Sequence, residues 1–406
     1  MPHLTDNPAD RLRELRRRRG LTQEQLAERA ALSLAVIKKL ERGGAGRLET
    51  YHALARALGV RTSILFDAQP PHASRNDDSG KLALLRLRRA LVPPVTALGH
   101  RLDAADGDPD LQRMSATATA LDGAYHADDY GTVADLLPEL ASSAHLAVDH
   151  FAGAPEQTEA LRLRSDVLQQ AGRYLTQVRV YDLAHLALRD ALRDAVAAND
   201  QLAAGATIYL QGWTLIREGR LDEAERLAAA TADEIEPKIS RASRDALAVW
   251  GRLWLKASAA AARNNRPTEA REMLRLARTA GAAVGPGGGS RYKSGRFTGS
   301  SVVFQVAENY AVTDQPRRVL GMANRVQAAA AATSNTGHRH LLDVARAHVQ
   351  VGQLAEAEQV LAGLHEETPE WLRHQQMAQE TFHDVLRGSR QRVSKRRRAL
   401  ARFFDV

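Results

Sequence analysis

The chain has 406 residues, of which 44% are hydrophobic and 26% charged, with a net charge of +8 and no cysteine. This length exceeds one ordinary domain, and the composition is that of a folded chain, so we expect at least two domains. Without cysteine there is no disulfide, no thiol nucleophile and no thiolate zinc site. The N-terminus lacks the apolar core of an export signal, and no apolar run approaches the ~18 residues of a membrane span, so we expect a cytoplasmic protein.

Positive charge is concentrated at the two ends of the chain. Residues 1–70 hold 13 Lys and Arg against 8 Asp and Glu, and residues 386–406 hold 8 against 1. The middle of the chain holds 35 against 39 and is slightly acidic. This asymmetry favours a nucleic-acid contact near the ends.

Short helices are predicted along the first seventy residues. Gly20 ends the first helix, Thr22 with Gln25 forms a capping box for the second, and Ser33 caps the third. The positions with helical spacing that we expect to be buried are Leu12, Leu15, Leu26, Ala27, Ile37, Leu40, Leu48, Leu54, Ala55 and Leu58. Ile64, Leu65 and Phe66 follow as a short apolar turn.

A linker and a long helical region come next. The stretch QPPHASRNDDSG has the prolines, glycine and small polar residues of a linker. We therefore divide the chain into 1–68, a linker at 69–80, a helical region at 81–386 and a basic terminal helix at 387–406.

The helical region contains recurring helix hairpins. Clear copies are LQGWTLIREGRLDEAERL and LLDVARAHVQVGQLAEAEQVL, and a third, LWLKASAAAARNNRPTEAREML, has an altered turn. Two weaker copies are LDGAYHADDYGTVADLLPELASSA, in which we interpret Asp128-Asp129 as a turn, and LQQAGRYLTQVRVYDLAHLALRDALRDA. Ala224, Ala270 and Ala357 stand where paired helices must approach closely. The region is predicted to be all-α; a generic helical bundle is the alternative to a repeat.

The stretch LTQEQLAERAALSLAVIKKLERG resembles the Cro-type, or XRE, helix-turn-helix domain, with the match running from about Asp10 to Phe66. The resemblance implies that residues 33–42 form a recognition helix in the major groove of double-stranded DNA. The positions that it assigns to the groove are Ser33, Leu34, Ala35, Lys38 and Lys39, and those near phosphate are Gln23, Arg42 and Arg47. Ala31-Leu32 departs from the family, which has Gly-Val there.

Apolar residues at the start of a recognition helix have a physical use. Leu34 and Ala35 can pack against the thymine methyl group, and Lys39 can reach guanine or phosphate. Alternatives stay open: Leu34 packs within the domain or against a partner, Lys38 is a solvated surface charge, and Gln23 and Ser33 serve only the helix ends.

The hairpins resemble tetratricopeptide repeats, which have a period of ~34 residues and stack into an α-solenoid. The combination resembles a class of actinomycete regulators, and this implies a homodimer that senses a small-molecule or peptide effector. Polar candidates for its lining are Arg173, Tyr174, Gln211, Arg291, Tyr292, Gln305 and Asn309; ordinary surface contacts are the alternative. The basic tail is either an accessory phosphate contact or a capping helix.

We identify no sequence motif that is typical of an enzyme. His338, His340, Asp343 and His348 lack the spacing of a metal site, and the glycine-rich segment at 281–301 lacks a glycine directly before Lys293-Ser294. We expect no metal, no cofactor and no catalysis. The predicted function is a nucleoid-associated transcriptional regulator that binds an operator; the alternative is a repeat scaffold that binds a protein partner.

Overall fold

The structure is a computed structural model. It describes residues 8–19, 21–44, 46, 48–58, 65, 78–97, 108–285, 292, 297–329, 334–388 and 394–405. In these ranges the regular secondary structure is helical and contains no strand, which confirms the all-α prediction. Within the same ranges no helix is both long and apolar enough to cross a membrane.

Four helices form an N-terminal unit: α1 (Pro8–Arg18), α2 (Gln23–Arg29), α3 (Leu34–Glu41) and α4 (Leu48–Leu58). The predicted core positions converge between them, and the buried ones are Leu12, Leu26, Ala27, Ile37, Leu40, Leu54, Ala55, Leu58 and Leu65. Leu15 packs against this core from its edge. Gly20, Ile64, Phe66 and the side chain of Leu48 lie outside the described residues.

The helical region begins with α5 (Asp78–Leu91), which starts inside the predicted linker range. Twelve helices of the described residues then form six hairpins. They are α6 (Leu111–His126) and α7 (Tyr130–His150), α8 (Gln157–Gln177) and α9 (Tyr181–Ala197), α10 (Gln201–Arg217) and α11 (Leu221–Glu234), α12 (Arg244–Arg263) and α13 (Pro267–Val284), α14 (Gly299–Val312) and α15 (Pro316–Ala329), and α16 (Ser334–Gln350) and α17 (Leu354–Glu367). Three helices follow: α18 (Pro369–Arg373), α19 (Gln376–Gly388) and α20 (Lys395–Phe404).

The hairpins stack in one direction. The first helix of each hairpin contacts the first helix of the next, and the second helix of each contacts the first helix that follows it. This arrangement is an α-solenoid whose inner face is lined by first helices. The first helices α6, α8, α10 and α12 begin 43 to 46 residues apart, which is longer than the ~34 residues of a tetratricopeptide repeat.

A single type of turn joins the two helices of every hairpin. One residue has a positive φ, at Asp128 (60°), Arg179 (66°), Gly219 (77°), Asn265 (59°), Asp314 (58°) and Gly352 (82°). The following residue donates its N–H to the carbonyl five positions back, as Arg220 does to Leu215 at 2.9 Å. Glycine, asparagine and aspartate adopt this conformation at low cost. The turn predicted at Asp128-Asp129 is confirmed, and the altered Asn-Asn turn is the same turn with Asn265 in place of glycine.

The two ends of the solenoid meet. Ala224, Ala270 and Ala357 are buried between their paired helices as predicted, but the largest apolar cluster also joins residues of α5–α9 to residues of α16–α20. Polar contacts cross the same junction: the Nδ1 atom of His338 lies 3.0 Å from Asp128 Oδ2, and Arg179 donates to Gln376 Oε1 at 2.9 Å. The first and last hairpins are therefore in direct contact.

Candidate nucleic-acid interface

The turn between α2 and α3 is held by caps at both helix starts. The Thr22 side chain accepts from Gln25 N while the Gln25 side chain accepts from Thr22 N, and Ser33 Oγ accepts from Val36 N at 3.4 Å. Both predicted caps are confirmed. Between them Ala31 has a φ of 53°, and Leu32 N donates to Ala27 O at 2.9 Å. This is the left-handed turn of the hairpins, here without a glycine.

A buried ion pair sets the angle of α3. Glu41 is 3% exposed, and its Oε1 lies 2.6 Å from Arg16 Nε while its Oε2 lies 3.1 Å from Arg16 Nη2. Arg13 also donates to the Glu41 carbonyl oxygen. The pair therefore ties α1 to the last turn of α3, and sequence reasoning missed it. A signal existed, because a carboxylate in the last turn of a helix opposes the helix dipole and needs a cation nearby.

Electrostatics around Glu41 favour its charged form. Burial by itself raises the pKa of the Glu41 carboxyl, but the hydrogen bonds from Arg16 and Gln23 outweigh it, so that the pKa lies below its usual range. The Arg16 pKa is correspondingly raised, chiefly by the hydrogen bond to Glu41. Both partners stay ionised at neutral pH.

Gln23 lies at the start of α2 and is half-buried. Its Nε2 donates to Glu41 Oε2 at 2.7 Å. An amide nitrogen carries two N–H donors, so one can hold Glu41 while the other faces outward. The phosphate contact implied for Gln23 stays a prediction, and its structural role is an addition.

One face of α3 is exposed to solvent. Ser33, Ala35, Lys38, Lys39 and Arg42 are all exposed. Leu34, by contrast, is half-buried and packs against the core of the N-terminal unit. Part of the Leu34 side chain therefore packs within the domain, as one alternative predicted. The rest of its surface is exposed and can contact DNA. Arg47 lies outside the described residues.

The cations on this face differ in their surroundings. In the part of the chain that the structure describes, the side chains of Lys39 and Arg42 form no hydrogen bond or ion pair. Lys38 acts on Glu24, whose pKa is lowered chiefly by its own backbone N–H and by Thr22, and to a smaller extent by Lys38. Lys39 and Arg42 are therefore better placed than Lys38 to receive an external anion.

Residues 9–64 match the family model of a helix-turn-helix domain. No curated protein and no solved structure matches the chain. The exposed face of α3 and the caps of α2 and α3 are the parts with which a helix-turn-helix domain meets DNA.

The helix-turn-helix domain rests on the solenoid through α4. Arg56 Nη1 lies 3.2 Å from Asp222 Oδ2, and Asn264 donates to Asp222 Oδ1 at 2.6 Å. Burial, together with the positive charges of Arg263 and Arg56, lowers the pKa of His52 to about 4. The solenoid thus holds α4 and leaves the exposed face of α3 uncovered.

The predicted effector residues fall into two places. Arg173 and Tyr174 on α8, Gln211 on α10, and Gln305 and Asn309 on α14 all belong to first helices. Gln305 donates to Asn309 at 3.0 Å, and Asn309 donates to Ser258 Oγ at 2.9 Å.

Tyr292 lies elsewhere, with its hydroxyl 2.8 Å from Asp200 at the start of α10. It borders an open polar pocket of ≈ 410 Å³, whose other lining residues are Arg162, Asn199, Asp200, Gln201 and Leu202. Arg291 lies outside the described residues.

The basic terminal helix α20 is docked on α17. Leu400 and Phe404 are buried, and Arg397 Nε donates to Glu358 Oε2 at 2.9 Å. Lys395, Arg396 and Arg398 remain exposed. Docking supports a capping role, and the exposed cations leave the phosphate contact as a prediction.

The histidines of α16 point to separate partners. His338 meets Asp128, and His348 Nδ1 lies 2.7 Å from Gln353 Oε1. His340 is 5% exposed, and neither of its ring nitrogens has a hydrogen-bond partner among the described residues.

Proposed function

We propose that this protein is a sequence-specific transcriptional regulator that binds double-stranded operator DNA as a homodimer. The observation that carries the proposal is the uncovered face of α3, where Ala35, Lys39 and Arg42 are exposed in a helix-turn-helix domain. A covered face would require the solenoid to move away before DNA could bind. Here the face of α3 is already exposed, so that it can enter the major groove without a movement of the solenoid.

The contacts follow from the chemistry of that face. Leu34 and Ala35 pack against thymine methyl groups, and Lys39 reaches guanine O6 and N7 or a phosphate. Ser33 and Lys38 face the groove, and phosphate contacts come from Gln23, Arg42 and Arg47. Because hydrogen-bonding base readers are scarce at the start of α3, discrimination between bases is modest and the phosphate contribution to affinity is large.

The solenoid supplies dimerisation and the sensing of a small-molecule or peptide effector, and it acts without catalysis or a cofactor. Its contact with α4, through Arg56 and Asp222 at 3.2 Å, offers a route from the solenoid to the DNA-binding domain. Dimers read two half-sites about 34 Å apart, so a change in solenoid curvature alters the affinity for the operator.

The test is selection of sheared genomic DNA by the purified protein at about 0.15 M salt, followed by sequencing of the retained fragments. We expect a few palindromic sites that contain T·A pairs, and weaker retention by Lys39→Ala. Arg275→Ala, which changes an exposed arginine of α13, is the matched control. Uniform retention, or none with or without cell extract, would refute the proposal and favour the protein-binding scaffold.

A further inference from the structure

The terminal helix α20 separates a row of exposed cations from its buried side chains. The buried ones are Arg397, Leu400 and Phe404. The exposed cations that share one side of the helix are Lys395, Arg398 and Arg402. At 3.6 residues per turn these two sets project from opposite sides of α20, and the exposed Arg396 lies between them. We refer to Lys395, Arg398 and Arg402 as the basic stripe.

Contacts on its buried side hold α20 in place. Ser394 caps the helix: its Oγ accepts from Arg397 N at 3.0 Å and donates to Glu358 Oε1 at 2.5 Å. Arg397 Nε donates to Oε2 of the same carboxylate at 2.9 Å. At the other end of α20, the centroid of the Phe404 ring lies 5.5 Å from that of Phe382. The helix is therefore attached at both ends, and the basic stripe has a fixed position on the solenoid.

The basic stripe is not paired within the fold. In the ranges that the structure describes, the side chains of its three residues form no hydrogen bond and no ion pair. The neighbouring carboxylate of Glu358 is bound by the buried Arg397 instead. Asp405 is the one carboxylate in residues 394–405, and it follows the last turn of α20 with a φ of 57°. The charges of the basic stripe are therefore open to an external anion.

The outer helix α13 gives a comparison within the same chain. Arg271, Arg275 and Arg278 are exposed on it with a similar helical spacing. However, Glu272 lies among them, with its Oε1 3.7 Å from Arg275 Nη2, and Arg271 Nε donates to the carbonyl oxygen of Pro267 at 3.1 Å. The surface of α13 thus mixes both signs of charge, whereas the basic stripe carries one sign only.

The length of the basic stripe matches a nucleic-acid backbone. Lys395 and Arg402 are seven positions apart, which corresponds to about 10 Å along a helix axis. One strand of duplex DNA advances about 3.4 Å along its own axis for each phosphate. The basic stripe therefore spans about three phosphates of one strand. Each of its two guanidinium groups can bind two oxygens of a phosphate.

An anionic bilayer is the other extended surface that attracts a basic helix. Helices that lie in a bilayer insert an apolar face among the lipid chains. On α20 the large apolar side chains Leu400 and Phe404 are buried within the fold, so they are not available for insertion. A phosphate backbone needs only the exposed side of the helix. The geometry of α20 therefore favours nucleic acid over a membrane.

We propose that the basic stripe is a second DNA-binding surface, which contacts the phosphate backbone of a duplex without reading its sequence. Contacts to phosphate position a protein on DNA and carry no base information. The proposal rests on the proposed function in that both surfaces take double-stranded DNA, and it deepens that function by adding a contact outside the helix-turn-helix domain. It predicts a larger DNA footprint and a steeper dependence of affinity on salt than the exposed face of α3 alone gives.

The first experiment measures fluorescence anisotropy of a labelled mixed-sequence duplex of about 40 base pairs, with the full chain, at several salt concentrations. The stripe variant carries Lys395→Gln, Arg398→Gln and Arg402→Gln. We expect it to bind at least tenfold more weakly than wild type at about 0.1 M salt, with a salt slope lower by about 2 to 3. The matched control carries Arg271→Gln, Arg275→Gln and Arg278→Gln and should bind within twofold of wild type.

The outcomes separate this proposal from the proposed function. Equal salt slopes for wild type and the stripe variant would overturn the second surface, even where wild type selects defined sites. An equal loss in the stripe variant and the α13 control would also overturn it, because net charge alone would explain both. Failure of the proposed function would instead appear as wild type without sequence preference, while the difference in salt slope between wild type and the stripe variant persists.

Cosedimentation with vesicles of phosphatidylglycerol and phosphatidylcholine tests the membrane as ligand. We expect wild type and the stripe variant to sediment equally with these vesicles. Vesicle binding that the stripe variant loses, together with unchanged DNA binding, would overturn the proposal in favour of a bilayer contact.

Chemical modification of wild type gives a readout that needs no substitution. Phenylglyoxal modifies accessible arginines, and mass spectrometry measures the extent at each position. The 40-base-pair duplex should protect Arg398 and Arg402 and leave Arg275 as reactive as in free protein. Equal modification of Arg398 and Arg402 with and without the duplex would overturn the proposal, whatever the folding of the stripe variant.

Discussion

Positive charge occupies two contrasting settings in this molecule. On α3 of the helix-turn-helix domain, the side chains of Lys39 and Arg42 are exposed and have no hydrogen-bond or ion-pair partner among the described residues. Inside the solenoid, Arg173 and Arg252 are buried, and Arg173 lies over the Tyr125 ring and donates to Asp122. Water and counterions stabilise the first set, whereas only fixed groups or a bound ligand can stabilise the second.

The contrast shows that the charge count of a segment does not reveal its partner. The middle of the chain is slightly acidic overall, yet it buries Arg173 and Arg252. Exposed cations favour a long polyanion that releases counterions and therefore depends on salt. Buried cations instead take partners in a fixed geometry, as Arg173 does with Asp122 at 2.8 Å.

The largest effect should come from removing the carboxylate partner of a buried arginine. Glu41→Ala removes the partner of Arg16, whose side chain is 11% exposed, and breaking a buried pair costs about 3–5 kcal/mol. We expect the helix-turn-helix domain to unfold while the solenoid stays folded. Limited proteolysis should cut the first sixty residues rapidly in this variant and slowly in Glu41→Gln, which keeps an oxygen for Arg16. Equal resistance of Glu41→Ala and wild type would show that the pair does not hold α3.

Removing an exposed cation should act on binding and leave stability alone. Lys39→Ala should weaken operator binding by about 1–3 kcal/mol if Lys39 reads a base, with relaxed preference at one position. If it contacts phosphate, the loss is uniform over sequences and the salt slope falls by about one. Fluorescence anisotropy at several salt concentrations distinguishes base reading from phosphate contact. A change above about 0.5 kcal/mol in the free energy of unfolding would show that the exposed Lys39 also contributes to stability, against the expectation.

Buried histidine should make the solenoid sensitive to acid. Burial lowers the pKa of His340 from 6.5 to about 4, so the folded state keeps it neutral while the unfolded chain takes up a proton. The stability that His340 contributes is full above pH 6.5 and is lost as the pH falls toward 4. Between pH 7 and 5, wild type should lose about 1–2 kcal/mol more than His340→Leu. Urea unfolding followed by tryptophan fluorescence measures the free energy of unfolding at each pH. If wild type and His340→Leu lose the same stability between pH 7 and 5, His340 is not the group responsible.

Left-handed turns occur in both the helix-turn-helix domain and the solenoid, so alanine can be replaced by glycine in one and glycine by alanine in the other. Ala31→Gly should stabilise the helix-turn-helix domain by about 1 kcal/mol, because Ala31 holds a φ of 53°. Gly219→Ala, at a φ of 77°, should destabilise the solenoid by about the same amount. Hydrogen exchange of each region provides the measurement. A destabilising Ala31→Gly would mean that chain entropy, and not the turn, dominates there.

The smallest effect is expected at the contact between the two regions. Arg56 and Asp222 have side chains that are 51% and 43% exposed, and such pairs contribute about 0–1 kcal/mol. Arg56→Ala should leave thermal unfolding within about 3 °C of wild type, with Arg226→Ala on the same surface of α11 as the control. A large loss would mean that the pair carries most of the docking of α4.

Local patterns were sufficient for much of the fold. The caps at Thr22 and Ser33, the apolar spacing of Ile37 and Leu40 and the close approach at Ala224 each depend on residues within one or two helical turns. Helical periodicity and turn chemistry act over that distance, and for this reason the helices, the hairpins and the exposed face of α3 could be predicted from sequence. The division of the chain into domains and the roles of single DNA-contacting residues remain predictions.

Tertiary structure decided the pairs that join distant segments. Arg16 meets Glu41 across 25 residues, and Arg179 meets Gln376 across 197. Helical spacing carries no information about such partners, because closure of the solenoid depends on small rotations that accumulate over six hairpins.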